Sequence, residues 1–363
     1  MAGYTLIDDA ARLADTLGRL DPGLRWAVDT EFVRERTYHP RLCLVQAAIG
    51  ADMVLVDPLR IRDEELLRQF LGASRQPRVI HAARQDIEVL LPVTVDPLAP
   101  LLDTQLAAAL LGFPAQIGYG DLVRQVLGVE LKKGHARTDW AARPLKLEQL
   151  EYAADDVRYL LPVAEELESR LEAAGRLDWL AEECALLSDP TLYRTEPADA
   201  WRRLKGLERM QPEERAVACV LAAWREERAM QRNLPRGWVL PDEALREVAR
   251  LRPDSTAALR RVAALPGGPA YRLADELLEQ VRQAATAPPP PGPSAVERLT
   301  PEQQEVVRRL QSAVQSVAAE AGISGEVLAT RRDLTAMVRG ARDVPPLTGW
   351  RRALVGEALL AAL

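Results

Sequence analysis

LRWAVDTEFVRERTYHPRLCLVQAAIGADMVLVDPL, residues 24–59, decides the fold. Three apolar runs lie within it: 24–32, which ends in acids, then 42–50 and 52–59, separated by Gly50. Their Leu and Val content, bounded by Gly and Asp-Pro, predicts strands, the last two joined as a hairpin. Upstream, residues 1–19 read as a short polar strand followed by an amphipathic helix. Downstream, 62–73 has helical spacing and a closing Gly, while 78–92 and 101–112 each start as a strand and continue as a helix. Strands first, then strands alternating with helices, predict an α/β domain whose mixed sheet is covered by helices. From about residue 145 nearly every segment is helical.

A chain of 363 residues is long enough for two or three domains. SDPTLYRTEPADAW (188–201) breaks the helical pattern, and TAPPPPGPS (286–294) reads as an extended proline-rich linker. These boundaries predict an α/β domain over 1–195, a helical domain over 200–286, a linker over 287–296 and a second helical domain over 297–363. Residues 1–200 carry 22 basic against 33 acidic residues, and 201–363 carry 25 against 20, within a net charge of −6. An acidic half that works and a basic half that holds a polyanion would give this asymmetry; so would two ordinary solvated surfaces.

Composition excludes several chemistries. No stretch approaches the roughly 20 apolar residues of a membrane span, and the first residues lack a secretory layout, so a cytoplasmic protein is expected. Three cysteines (Cys43, Cys184, Cys219) and three histidines are too few for a disulfide framework, a thiolate zinc site or a His-rich centre. Gly118 and Gly120 do not open a dinucleotide-binding G-x-G-x-x-G. A metal here would be held by carboxylates.

Asp29 and Glu31, two apart at a strand end, project from one face. Side-by-side carboxylates resist burial unless a cation neutralises them, and hard dications prefer such oxygen ligands. Alone, the pair is more often simply a strand ending in a polar turn. Asp86 follows the strand RVIH at a strand-to-helix junction, where polar groups reach the top of a sheet; it is equally a first-turn helix acid. Asp103, at a comparable junction, reads as a helix cap. In EYAADDVRYLLPVAEEL (151–167), Tyr152 and Asp156 are i, i+4 neighbours, Asp156 on the packed side and Asp155 more exposed. Acids from three separate elements can converge on a pair of metal ions.

The order and surroundings of these residues resemble the ribonuclease D family, within the DEDD superfamily of 3′-to-5′ exonucleases, over essentially the whole chain. WAVDTEFVRERTYHPRLCLVQ resembles the first motif, VIHAARQDIEVL the second, and TDWAARPLKLEQLEYAADDVRYLLP the third, in its Tyr-containing form. The resemblance implies an RNase H-like mixed-sheet domain followed by two small all-α HRDC-type (helicase-and-RNase-D C-terminal) domains. It implies catalysis by Asp29, Glu31, Asp86, Tyr152 and Asp156, the four acids holding two divalent ions, Mg2+ or Mn2+. Asp29 would bridge both ions and Tyr152 would position the nucleophile. Products would be nucleoside 5′-monophosphates. The implied partner is RNA, especially tRNA precursors with 3′ extensions. Residues 200–253 resemble the HRDC domain, where Trp224, Arg225, Arg228, Arg232 and Arg236, with Trp238 nearby, could grip phosphates and stack bases, or equally be an exposed Arg face with core tryptophans. A DNA-directed exonuclease of the same superfamily and an inactive RNA-binding scaffold are the competing expectations; an intact set of acids argues against the scaffold.

Overall fold

The computed structural model describes residues 3–94, 99–132, 134, 138–265, 273–286 and 299–363. The expected linker over 287–296 lies outside the described residues.

Six strands form one mixed sheet in the order β1-β4-β3-β2-β5-β6: β1 (Thr5–Ile7), β2 (Trp26–Val33), β3 (Arg41–Ile49), β4 (Asp52–Val56), β5 (Arg78–Ile80) and β6 (Leu101–Asp103). β3 and β4 are the expected antiparallel hairpin, in register from Val45 opposite Val56 to Ile49 opposite Asp52. β1 joins β4 in parallel, and β5 runs parallel to both β2 and β6. The centre of the sheet is buried on both faces, which is why β3 is apolar almost without alternation: Leu42 to Ile49 are all buried. Trp26 of β2 packs against Phe70, ring centroids 5.1 Å apart.

The helices Leu147–Arg158 and Leu160–Ala173 lie against the sheet, with Ala153, Ala154, Val157, Val163 and Leu167 buried at helical spacing. Helix Thr104–Ala109 is capped by Asp103, whose carboxylate accepts from the backbone N–H groups of Gln105 and Leu106 at 2.8 and 3.3 Å. The cap expected for Asp103 is there.

The chain divides into two compact units. Residues 1–33, 42–192 and 299–363 make the first; 34–41 and 193–298 make the second. The segment 299–363, expected as a helical domain of its own, thus belongs to the same compact unit as the sheet. Val307, Leu310, Val314 and Ala318 of helix Pro301–Ala321 share one apolar cluster with Leu110, Leu171, Leu180 and Cys184. Backbone contact is close there: a Cβ on Gly112 (φ +89°) would lie 2.9 Å from the Gly322 carbonyl, and the Ser324 N–H donates to Ala109 O at 3.1 Å. Buried Glu183 accepts from Trp350 Nε1 (2.8 Å) and from Arg351, while Trp179 stacks on Trp350 at 4.6 Å. Helical periodicity announces an apolar face but not which surface will cover it.

In the second unit, helix Pro212–Arg232 packs with helices Asp242–Leu251 and Ala274–Thr286 around Leu221, Trp224, Leu245, Val248, Leu277 and Val281. Its C-terminus closes on Asn233 in the left-handed conformation, and Asn233 Oδ1 accepts from the N–H groups of Tyr38 and His39 at 3.1 and 3.0 Å. Among the described residues, no helix is long and apolar enough to cross a membrane.

Candidate active site

Asp29 and Glu31 stand on β2, a central strand, so their backbone is held by neighbours on both sides. Asp86 sits in the first turn of helix Arg84–Thr94, just past β5. The turn that aims it, His81-Ala82-Ala83, has Ala82 at φ +55°, and the Asp103 carboxylate accepts from the Ala82 and Ala83 N–H groups at 3.1 and 2.9 Å. Asp103 therefore orders two junctions at once, its own helix and the turn leading to Asp86. The Thr30 hydroxyl donates to Asp86 at 2.6 Å, tying β2 to that helix. Tyr152 and Asp156 come from helix Leu147–Arg158, one turn apart, with the Tyr152 hydroxyl bonded to the Asp156 carboxylate.

All five residues line one cleft of about 320 Å³, together with Thr30, Phe32, His81, Ala82, Gln85 and Tyr119. Carboxylate oxygens of Asp29, Glu31 and Asp156 lie within 4.8 Å of one another; Asp86 lines the same cleft outside that trio. Asp155 is turned away and pairs with Arg158 at 2.8 Å.

Burial, with the like charges around it, pushes the Asp29 carboxyl well above the usual carboxylate range. The same causes push Glu31 up to about 9. Burial raises Asp156 to about 7, with Asp155 adding repulsion, and Asp86 to about 6 against the opposing hydrogen bond from Thr30. No lysine or arginine is among the described residues lining the cleft. An all-oxygen donor set of crowded acids fits hard divalent ions.

His81 and Tyr119 are cleft residues that sequence reasoning missed. His81 Nε2 lies 3.0 Å from the Ile117 carbonyl, which can only accept, so Nε2 carries a proton and Nδ1 accepts from the Thr104 hydroxyl at 2.9 Å. Burial pushes its pKa down, keeping the ring neutral. Tyr119 donates to the Asp155 carbonyl at 3.1 Å. His81 lay in plain sight, five residues before Asp86; Tyr119, 33 residues further on, carries no local signal.

The expected RNA-gripping set in the second unit is corrected at two positions. Trp224 is buried in the helical core, its Nε1 donating to Glu276 at 3.3 Å. Arg225, 4% exposed, donates to the Leu240 carbonyl (2.9 Å) and Asp242 (2.6 Å). It belongs to the buried stripe of Leu221, Ala222 and Ala229, so its guanidinium is committed inside the domain. Arg228 pairs with Glu276, and Arg236 lies 3.7 Å from buried Glu226. Arg232 and Trp238 are exposed.

Comparison with known proteins agrees with this geometry. A 3′-5′ exonuclease family model matches residues 4–172, and an HRDC domain model matches 214–281. Ribonuclease D of Acidiphilium cryptum is 39% identical over 98% of this chain and 92% of its own length. Ribonuclease D of Pseudomonas paraeruginosa is 38% identical, covering 93% and 91%. The crystal structure of Escherichia coli RNase D, described as an exoribonuclease involved in structured RNA processing, superposes with a TM-score of 0.86 at 34% identity, covering 99% of this chain and 98% of the other. With the sheet, the acidic cleft and the helical domain in place, the chain belongs to the ribonuclease D family of 3′-to-5′ exoribonucleases.

Proposed function

We propose that the cleft removes nucleotides singly from the 3′ end of RNA as 5′-monophosphates, with two divalent ions, Mg2+ or Mn2+, held by Asp29, Glu31, Asp86 and Asp156. The observation that carries this reading is the convergence of three carboxylates to within 4.8 Å, beside a fourth, in a cleft whose described lining includes no lysine or arginine. A phosphodiester is itself an anion and would be repelled by such a cleft unless cations stood between. When bound, paired dications supply Lewis acidity and charge neutralisation at the scissile phosphate.

The chain's own groups bind and orient. Burial and the surrounding acids push the Tyr152 phenol up, so it stays protonated and keeps its O–H to donate. A protonated phenol beside Asp156 can orient the attacking water along the phosphate. Thr30 fixes the rotamer of Asp86 through its hydroxyl. Neutral His81 leaves the cleft wall uncharged, so the acids set its potential.

The ribonuclease D relatives, and the structured-RNA role printed for the E. coli protein, support stable RNA precursors as substrates, tRNA with 3′ extensions foremost. Bacterial relatives support a cytoplasmic setting. Labelled single-stranded RNA and DNA of one sequence, incubated with Mg2+ or with EDTA, test the proposal. Stepwise 3′ shortening of RNA that stops in EDTA is expected; equal trimming of DNA would transfer the activity to the DNA-directed alternative, and no trimming would refute it.

A further inference from the structure

Four residues before helix Leu147–Arg158, the loop places a guanidinium in an enclosed acceptor set. Arg143, 16% exposed at its side chain, donates to both carboxylate oxygens of Asp57, at 2.5 and 2.9 Å. It also donates to the carbonyls of Cys43 (2.6 Å), Trp140 (2.7 Å) and Ala142 (2.8 Å). Asp57 directly follows β4 and Cys43 is on β3, so one side chain ties the loop to two strands of the sheet. Held by the same loop, Trp140 is 2% exposed, packs with Cys43, Leu44, Leu55, Ala153 and Ala154, and presents its ring to Tyr152 with centroids 6.2 Å apart. Arg143 itself does not line the cleft.

We propose that Arg143, clamped on Asp57, is the positioning residue that sets Tyr152 in the cleft, acting through the 140–146 loop and the Trp140 ring. This rests on the role given to Tyr152 above. The clamp depends on a planar fork: a lysine ammonium is a single point of attachment and cannot span two carboxylate oxygens and three carbonyls together. Loosening it lets the helix entry and the Trp140 ring shift, and a displacement of about 1 Å at an orienting group costs up to about a hundredfold in rate. Arg143 is not among the residues lining the cleft, so its replacement removes no group from the cleft wall.

A double-mutant cycle in kcat separates this role from a merely structural one, using full-length protein, Mg2+ and saturating labelled RNA. Arg143→Lys is expected to lower kcat about ten- to a hundredfold, no more than Tyr152→Phe, with KM little changed. In the Tyr152→Phe background, Arg143→Lys is expected to add less than about twofold, because the group it positions has already lost its hydroxyl. Multiplicative losses in the double variant, or a rise in KM with kcat unchanged, would overturn the inference while leaving Tyr152 its role. An unchanged kcat in Tyr152→Phe alone would overturn the Tyr152 reading and this inference with it. Asp57→Asn, which keeps a side-chain acceptor for the Leu59 N–H (3.0 Å from Asp57 now) but loses the ion pair, runs the same cycle if Arg143→Lys does not fold.

Discussion

Replacing Asp29 by Asn should make the metal-free protein more stable near neutral pH while abolishing its activity. Asp29 is buried among Asp86, Asp156 and Glu31, which together push its carboxyl far up. A carboxyl whose folded pKa is raised contributes full stability below its unfolded pKa and loses it as pH rises towards the folded value. The cost of the wild-type carboxyl therefore grows from pH 5 to pH 7, by no more than about 1.4 kcal/mol per pH unit. Solvent relaxation around an open cleft reduces this, so Asp29→Asn is expected to be more stable than wild type at pH 7, with a smaller gain at pH 5. Urea melts in EDTA at both pH values measure it. The sign should reverse with metal: Mn2+ should raise the wild-type midpoint at pH 7, where the site's ligands ionise on binding, and should raise that of Asp29→Asn much less. Turnover should fall by at least a thousandfold, since a central carboxylate of the set is gone. A wild-type stability in EDTA that is flat from pH 5 to 7, or an Asp29→Asn protein less stable than wild type at pH 7, would show that these acids do not crowd one enclosed pocket.

Two further substitutions probe the corrected and the unexpected parts of the structure. Arg225→Met should destabilise the second unit by about 1–3 kcal/mol, because the buried Leu240 carbonyl loses its donor and half-exposed Asp242 loses its ion pair, while the salt dependence of RNA binding stays as in wild type. A shallower salt slope without loss of stability would return Arg225 to the RNA-gripping face. Glu183→Ala should cost about 3–5 kcal/mol in a melt of the whole chain and make residues 299–363 the first segment cut by limited proteolysis, since Arg351 and Trp350 Nε1 are left without their acceptor. Cleavage elsewhere first would mean that this segment is held mainly by its apolar face.

Local spacing was enough for the sheet's central strands, for the same-face pair Asp29 and Glu31, for the Tyr152–Asp156 turn and for the cap at Asp103. Each depends on φ/ψ preference and side-chain period, properties of a few consecutive residues. Arg225 misled because a basic residue repeating near helical spacing looks solvated, whereas its position on the stripe of Leu221, Ala222 and Ala229 buries it. Tyr119 went unseen because its place in the cleft is made by packing against a helix that begins 28 residues later.

What the sequence determined by itself is therefore the residue types on offer, carboxylates in a set order along a strand-then-helix chain with few histidines or cysteines, since composition and period are written residue by residue. The tertiary structure alone decided that three carboxylates come within 4.8 Å, that Arg143 reaches back to Asp57, and that residues 299–363 share a core with the sheet. Those facts depend on which buried surfaces meet across long stretches of chain. An apolar face or a charged tip carries no address for its partner until the rest of the molecule has packed around it.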